Sequence, residues 1–150
     1  MTATTTDSIV KEITIQAPAE RVFAAIADPL QRVAWWGVAG RFQTDHMETD
    51  LRLGGQYLMR GTGQEGRPFT IRGEYRAIER PRLLEFTWLN DKDEGAPTSV
   101  VRFELLEQAG QTVVRLTHSG LTTDRLRDSY QGWPWLLALL KSHVEGSSQP

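Results

Sequence analysis

Ile9, Ile13 and Ile15, in step with Lys11, alternate with Glu12, Thr14 and Gln16, which predicts a strand with one face buried. Ala17-Pro18 ends it. Pro18 and Glu20 suit the first turn of a helix, and Val22, Phe23 and Ile26 recur at helical spacing, so a short helix is expected from Ala19 to Ala27. Asp28-Pro29 reads as a second start, a capping carboxylate followed by a proline whose missing N–H has no helical partner to lose. That segment runs to Trp35-Trp36-Gly37.

From Arg41 to Ser119, short runs punctuated by turn residues predict an antiparallel meander of four or five hairpins. The runs are Gln56 to Arg60, Phe69 to Glu79, Arg82 to Asn90, Thr98 to Glu107 and Thr112 to Ser119. Between them lie Gly61 to Pro68, Arg80-Pro81, Asp91 to Pro97 and Ala109-Gly110. Alternation places Phe69, Ile71, Gly73 and Tyr75 on one side, together with Leu84, Phe86, Trp88, Val101, Phe103, Leu105, Val114, Leu116 and His118. The opposite side carries Arg72, Glu74, Arg76, Glu85, Arg102, Glu104 and Arg115, the mixed charges of cross-strand pairs in water.

The apolar side needs a cover. Leu126, Tyr130, Trp133, Leu137, Leu140 and Val144 follow one another at steps of three and four, the stripe of a long C-terminal helix. Pro134 lacks an amide donor and lies beside Gly132, so that helix is expected to kink or to divide into two abutting pieces.

Composition narrows the class. A chain of 150 residues with no repeat or low-complexity segment is read as one domain over residues 9–145, with flexible tails at 1–8 and 146–150. The absence of cysteine excludes disulfides, thiolate metal centres and thiol nucleophiles, and favours a cytoplasmic location. Seventeen Lys and Arg against nineteen Asp and Glu give a net charge of −2 without a basic run, which argues against nucleic acid as a partner. The longest apolar run, Trp133 to Leu140, is interrupted by Pro134 and is too short to insert across a membrane.

Few motifs carry chemistry. Gly61-Thr62-Gly63-Gln64-Glu65-Gly66 matches GxGxxG, but a strand follows where a phosphate site needs a helix N-terminus, so it reads as a hairpin loop. Asp45, His46, Glu48 and Asp50 lack the paired-histidine spacing of a metal site, and neither metal nor cofactor is expected. No GxSxG elbow exists, and Ser119 points away from its neighbour His118 on the strand. His118 faces the covering helix. It is either a core-edge histidine bonded to backbone or water, or a group that orients a ligand or exchanges a proton. The aromatic residues are many, and the candidate lining of a ligand cavity is Trp35, Trp36, Tyr57, Met59, Phe69, Ile71, Tyr75, Phe86, Trp88, Phe103, His118, Trp133 and Leu137.

Several pieces occur in a recognisable order: the segment Ile15 to Ala25 (IQAPAERVFAA), Asp28-Pro29, Trp35-Trp36, Leu51 to Gly55 (LRLGG), Gly73-Glu74-Tyr75, Pro81 to Trp88 (PRLLEFTW) and Gly132-Trp133. In these the chain resembles bacterial proteins of the "activator of Hsp90 ATPase homologue 1-like" family, within the START-like, or SRPBCC, superfamily. The resemblance covers about residues 9 to 144. It implies an α+β helix-grip fold of the START-like/Bet v 1-like kind, in the order β-α-α-β(5-6)-α. A curved antiparallel sheet is then wrapped around a long C-terminal helix, with an internal apolar cavity. Pro134 departs from the usual run after Gly-Trp.

The resemblance does not single out one activity. A small-molecule binding protein is expected, taking an apolar, lipid-like or aromatic ligand between sheet and helix. A cyclase-, aromatase- or hydrolase-like enzyme in the same cavity is the first alternative, with no recognisable catalytic motif and no assigned catalytic residue. A chaperone-associated or homodimeric interaction module, using Trp133 or Trp35-Trp36, is the second. The co-chaperones that gave the family its name carry a further N-terminal domain, so heat-shock protein 90 is not expected as the partner.

Overall fold

The computed structural model describes residues 8–38, 41–90 and 98–147. β1 (Ile9–Ile15) and α1 (Ala19–Ala27) form where alternation and helical spacing place them, and α1 buries Val22, Phe23 and Ile26. Pro18 offers no side-chain cap, so Glu107 reaches across from the sheet and accepts from the Ala19 N–H at 2.8 Å. The Asp28 carboxylate caps α2 (Pro29–Trp35) by accepting from the Leu30 N–H at 3.0 Å, with Pro29 in the first turn.

Seven further strands follow: β2 (Gly37–Val38), β3 (Phe42–Thr49), β4 (Gln56–Thr62), β5 (Pro68–Glu79), β6 (Leu83–Asn90), β7 (Ser99–Gln108) and β8 (Gln111–Ser119). They form one antiparallel sheet in the order β1-β8-β7-β6-β5-β4-β3-β2, so every strand after β2 pairs with its predecessor and β1 closes on β8. That gives six consecutive antiparallel pairs among the described residues rather than four or five. The added strands are a two-residue edge, β2, and β3, whose alternation is broken by a register shift between Thr44 and His46. β4 also continues through Gly61 and Thr62, shortening the expected loop.

A second register shift lies between Tyr75 and Ala77. It inserts one residue and returns Ile78, not Ala77, to the side that packs on the core. Elsewhere the two faces are as alternation gives them: Leu84, Phe86, Trp88, Val101, Phe103, Leu105, Val114, Leu116 and His118 are buried. On the outer face Arg102 pairs with its cross-strand partner Glu85 at 2.8 Å, and Arg115 approaches Glu12 at 3.8 Å.

The cover is two helices, not one long helix: α3 (Asp124–Ser129) and α4 (Trp133–Ser147). Gly132 accepts from the Trp135 and Leu136 N–H groups, so the helix begins there and Pro134 falls in its first turn, where a missing donor is harmless. Leu137, Leu140 and Val144 of α4 are buried. α4 is tied to β1 by Lys141, which donates to the Thr14 carbonyl at 2.9 Å, and by Glu145, which accepts from the Gln16 N–H at 2.8 Å. The helix runs through Ser147, into the segment expected as a C-terminal tail. The N-terminal tail and the Asp91 to Pro97 loop lie outside the described residues, apart from Ser8.

Candidate functional site

The described residues leave a cleft of about 750 Å³ at one end of the sheet, open to solvent on one side. Its walls come from the end of α2, the start of β3, the β4–β5 connection, the ends of β5 and β6, and the α3–α4 junction. Local sequence explains why these elements meet in an opening. α2 stops at Trp36, before Gly37, and the cover breaks at Tyr130-Gln131-Gly132, so neither helix extends over this corner. Three indoles, Trp36, Trp88 and Trp133, form the inner wall with ring centroids 5.4 to 6.0 Å apart. Phe42 and Phe69 meet edge to face at 5.9 Å on another side. Gly61 makes room for that pair, because a Cβ there would stand 2.4 Å from the Phe69 ring and 2.1 Å from the Gln43 carbonyl.

The entrance is charged with both signs. Arg41, Glu65, Arg67 and Asp128 line it and are exposed, and the Arg41 guanidinium sits 4.5 Å from the ring centroid of Trp135, which is 52% exposed. The GxGxxG segment runs from the end of β4 into the β4–β5 connection, with Gly63 and Glu65 on the rim and a single 3-10 turn at Gln64–Gly66, after which strand β5 follows. His46 and Glu48 pair with each other at 2.8 Å and Asp50 with Arg52 at 2.7 Å, both on exposed positions.

Behind the indole wall, the polar groups form a closed chain. The Trp133 indole donates to His118 Nδ1 at 3.1 Å, which fixes that nitrogen as an acceptor. The proton therefore resides on Nε2, which donates to Ser99 Oγ at 2.8 Å, and the Ser99 hydroxyl donates to the Trp88 carbonyl at 3.3 Å. Burial alone pushes His118 down to about 3, so the ring is neutral at physiological pH. Its one basic nitrogen is occupied, and it does not line the cleft. A proton-transfer role with a molecule in the cleft has no geometric basis.

Five of the sequence candidates are brought together on the cleft: Trp36, Phe69, Ile71, Trp88 and Trp133. The other eight, Trp35, Tyr57, Met59, Tyr75, Phe86, Phe103, His118 and Leu137, lie in the core away from it; exposure does not separate the two groups, since Trp36, Ile71, Trp88 and Trp133 are themselves no more than 4% exposed. They interlock there. Trp35 donates to the Ala25 carbonyl at 2.8 Å, Tyr57 donates to the Thr87 carbonyl at 2.6 Å, and Tyr75 shares a 2.5 Å hydrogen bond with Thr49. Burial raises both tyrosines' pKa. The space between sheet and α4 is thus filled by side chains, and the open volume lies beyond their end. Tyr130, Phe42 and Leu136 join the lining and were not singled out from sequence. Tyr130, in the helical stripe, carried the clearest signal.

Arg32 was also missed. It lies on α2, 1% exposed, with its guanidinium 4.3 Å from the Trp36 ring centroid and 5.5 Å from that of Phe86. Nη1 donates to the Ile26 carbonyl at 2.7 Å, whereas Nε and Nη2 have no partner among the described residues. Burial lowers its pKa from the usual arginine range.

Solved structures resemble the whole chain. Protein CV1439 from Chromobacterium violaceum is 25% identical, with a TM-score of 0.80 over 93% of this chain and 98% of that one. The AHSA1-like protein from Aeromonas hydrophila is 25% identical, with a TM-score of 0.78 over 94% of both chains. CalU16 from Micromonospora echinospora is 26% identical, with a TM-score of 0.69 over 91% of this chain and 75% of that one. No curated protein matches the chain. The family model "Activator of Hsp90 ATPase homolog 1-like protein" matches residues 16–145, so the sheet, the divided cover and the indole-walled cleft are those of a member of that family, to which the chain belongs.

Proposed function

We propose that the protein binds a small apolar molecule, aromatic or lipid-like, in the cleft between the end of the sheet and the α3–α4 junction. The observation that carries this reading is the cleft itself. Its volume of about 750 Å³ lies within the range of roughly 300–1,000 Å³ typical of small-molecule sites, and its inner wall is three indoles. The family fold commonly holds hydrophobic ligands, which agrees with a site of this kind. Flat aromatic surface on the ligand is favoured, because stacked or edge-on ring contacts add about 0.5–1.5 kcal/mol beyond area burial.

The first test is native mass spectrometry of the purified protein, followed by denaturation and identification of what is released. A stoichiometric apolar molecule supports the reading and names its class. The second is titration with naphthalene-based probes monitored by tryptophan emission, since Trp36, Trp88 and Trp133 all line the cleft. No quenching by any such probe up to its solubility limit, together with bare protein in the mass spectrum, counts decisively against it.

A further inference from the structure

The cleft is apolar within and mixed in charge at its entrance, yet the most unusual charge in the molecule is one layer deeper. Arg32 is buried among Trp36, Phe86 and the core, and one N–H of its guanidinium is satisfied by the Ile26 carbonyl. Among the described residues Nε and Nη2 find no acceptor and no carboxylate pairs with this arginine. Burying a charge without an anion or a full set of acceptors is costly, and native proteins rarely keep such a group without a use for it. Thr44 Oγ1 is the other buried side-chain atom without a partner among the described residues, and it lies on β3, the strand against which α2 packs. Unmet hydrogen-bonding capacity therefore concentrates at one place in the fold, the α2–β3 layer.

Trp36 connects that place to the cleft. One of its sides lines the opening, and the Arg32 guanidinium lies 4.3 Å from its ring centroid. Trp35, Trp88 and Trp133 each anchor their indole N–H in a hydrogen bond, to Ala25, Tyr130 and His118 respectively. Trp36 is held by ring contacts to Trp35, Trp88 and Trp133 and by the guanidinium, at a helix end followed by glycine. Of the three wall indoles it is the one whose N–H makes no hydrogen bond among the described residues.

We propose that Arg32 is an anion-recognition residue for the cleft, and that the ligand is an aromatic or alicyclic carboxylate whose acid group passes Trp36 to reach Nε and Nη2. The planar guanidinium fork presents two parallel donors at the spacing of a carboxylate, which a neutral apolar ligand leaves unused. This rests on the cleft being the binding site, and it specifies the ligand's chemistry: an apolar body facing the indoles and one carboxylate at its end.

The test compares 2-naphthoate with its neutral isostere 2-naphthamide, by isothermal titration against the intact chain and its Arg32→Met and Arg32→Lys variants. Native protein is expected to bind the carboxylate at least tenfold more tightly than the amide. Arg32→Met should remove that preference, bringing the Kd values of the two probes to within twofold of each other. Arg32→Lys keeps the charge but not the fork, and should retain a reduced preference, which keeps the assignment testable if the methionine variant does not fold. Equal Kd values for the two probes on native protein overturn the assignment to Arg32 while leaving the cleft as a binding site. A preference that persists in Arg32→Met overturns it too, and transfers the anion to Arg41 or Arg67 at the entrance. If neither probe binds, the cleft reading fails and this proposal fails with it.

Discussion

Lowering the pH from 8 to 5 should destabilise this protein through His118, by an amount that can be worked out. Burial holds the native imidazole at about 3, against 6.5 for the unfolded chain. Between those values the unfolded state takes up a proton that the native state refuses, so stability is fully present above pH 6.5 and is lost as the pH falls. The loss is about 1.4 kcal/mol per pH unit once the pH is well below the unfolded value, or about 2 kcal/mol at pH 5. The assay is urea unfolding followed by tryptophan emission, at pH 8 and pH 5, on native protein and on His118→Gln. Glutamine can accept from the Trp133 indole and donate to Ser99, so it preserves the connectivity of the chain without the titration. The variant should lose roughly 1–2 kcal/mol at pH 8, from imperfect geometry at a buried network. Its decline toward pH 5 should be smaller than the native protein's by about 2 kcal/mol. Carboxylates lowered by their partners, such as Glu20 beside Arg80 and Glu145 beside Lys141, titrate in both proteins and cancel in the difference. Equal declines in the two proteins would refute the argument, by showing that the native ring is accessible to protons.

Two backbone positions give further outcomes. Gly73→Ala places a Cβ 1.9 Å from the Thr87 carbonyl oxygen and 2.7 Å from the Tyr57 ring, so β5 and β6 must separate; a loss of about 3 kcal/mol or more is expected in urea unfolding, and an unchanged midpoint would show that the contact is not as close as described. Pro134→Ala should change stability by less than about 1 kcal/mol, because the proline lies in the first turn of α4 where its missing donor costs nothing, whereas an interior proline would gain about 3 kcal/mol on replacement. Both are read from the same denaturation curves.

What the sequence made legible follows from which signals are periodic. The strands β5 to β8 repeat every second residue, and the core is the face that this alternation selects, from Leu84 through His118. The helix starts were legible because Asp28, Pro29, Gly132 and Pro134 act locally, within one turn. Two strand-pairing features were not. A bulge adds one residue without changing composition, so the shifts after Thr44 and Tyr75 leave no mark in the pattern, and β2 is too short to show a period. The candidate site was half legible for a related reason. Alternation tells that a side chain faces inward, but not whether its neighbours fill the space in front of it. Tyr57, Phe86, Phe103, Trp88 and Trp133 all face inward and pack against other rings, and what sets Trp88 and Trp133 apart is that they also border the open volume. Arg32 left a weaker trace still. Its charge reads as solvent-facing, although the four-residue step to Trp36 puts both on one face of the turn, and only the tertiary packing of α2 on β3 decides that this face is inside.

The location of the open volume then has a simple cause. A single helix from Asp124 to Ser147 would carry Tyr130 and Trp133 on the same stripe as Leu137 and Leu140, and its body would lie over the corner where β5 begins and β6 ends. Gly132 instead restarts the helix, with Pro134 fixing its first turn, and the three residues between α3 and α4 leave that corner to Trp36 and Trp133. α2 ends opposite, at Trp36, because Gly37 begins the edge strand β2. Two helix breaks facing each other thus make a gap that side chains must line rather than backbone cover. The side chains that line it are bound to different degrees: Trp133 is held by His118 and Trp88 by Tyr130, while Trp36 is not tied by its indole nitrogen. All three indoles are packed by rings, and two of them are also fixed by hydrogen bonds, which holds the wall in one shape. Trp36 and Trp133 are both 2% exposed, so truncation of either should cost about 3–5 kcal/mol in urea unfolding. Trp133→Phe should cost more stability than Trp36→Phe, because only Trp133 also closes the buried chain through His118 to Ser99; equal losses for the two phenylalanine variants would show that this chain adds nothing.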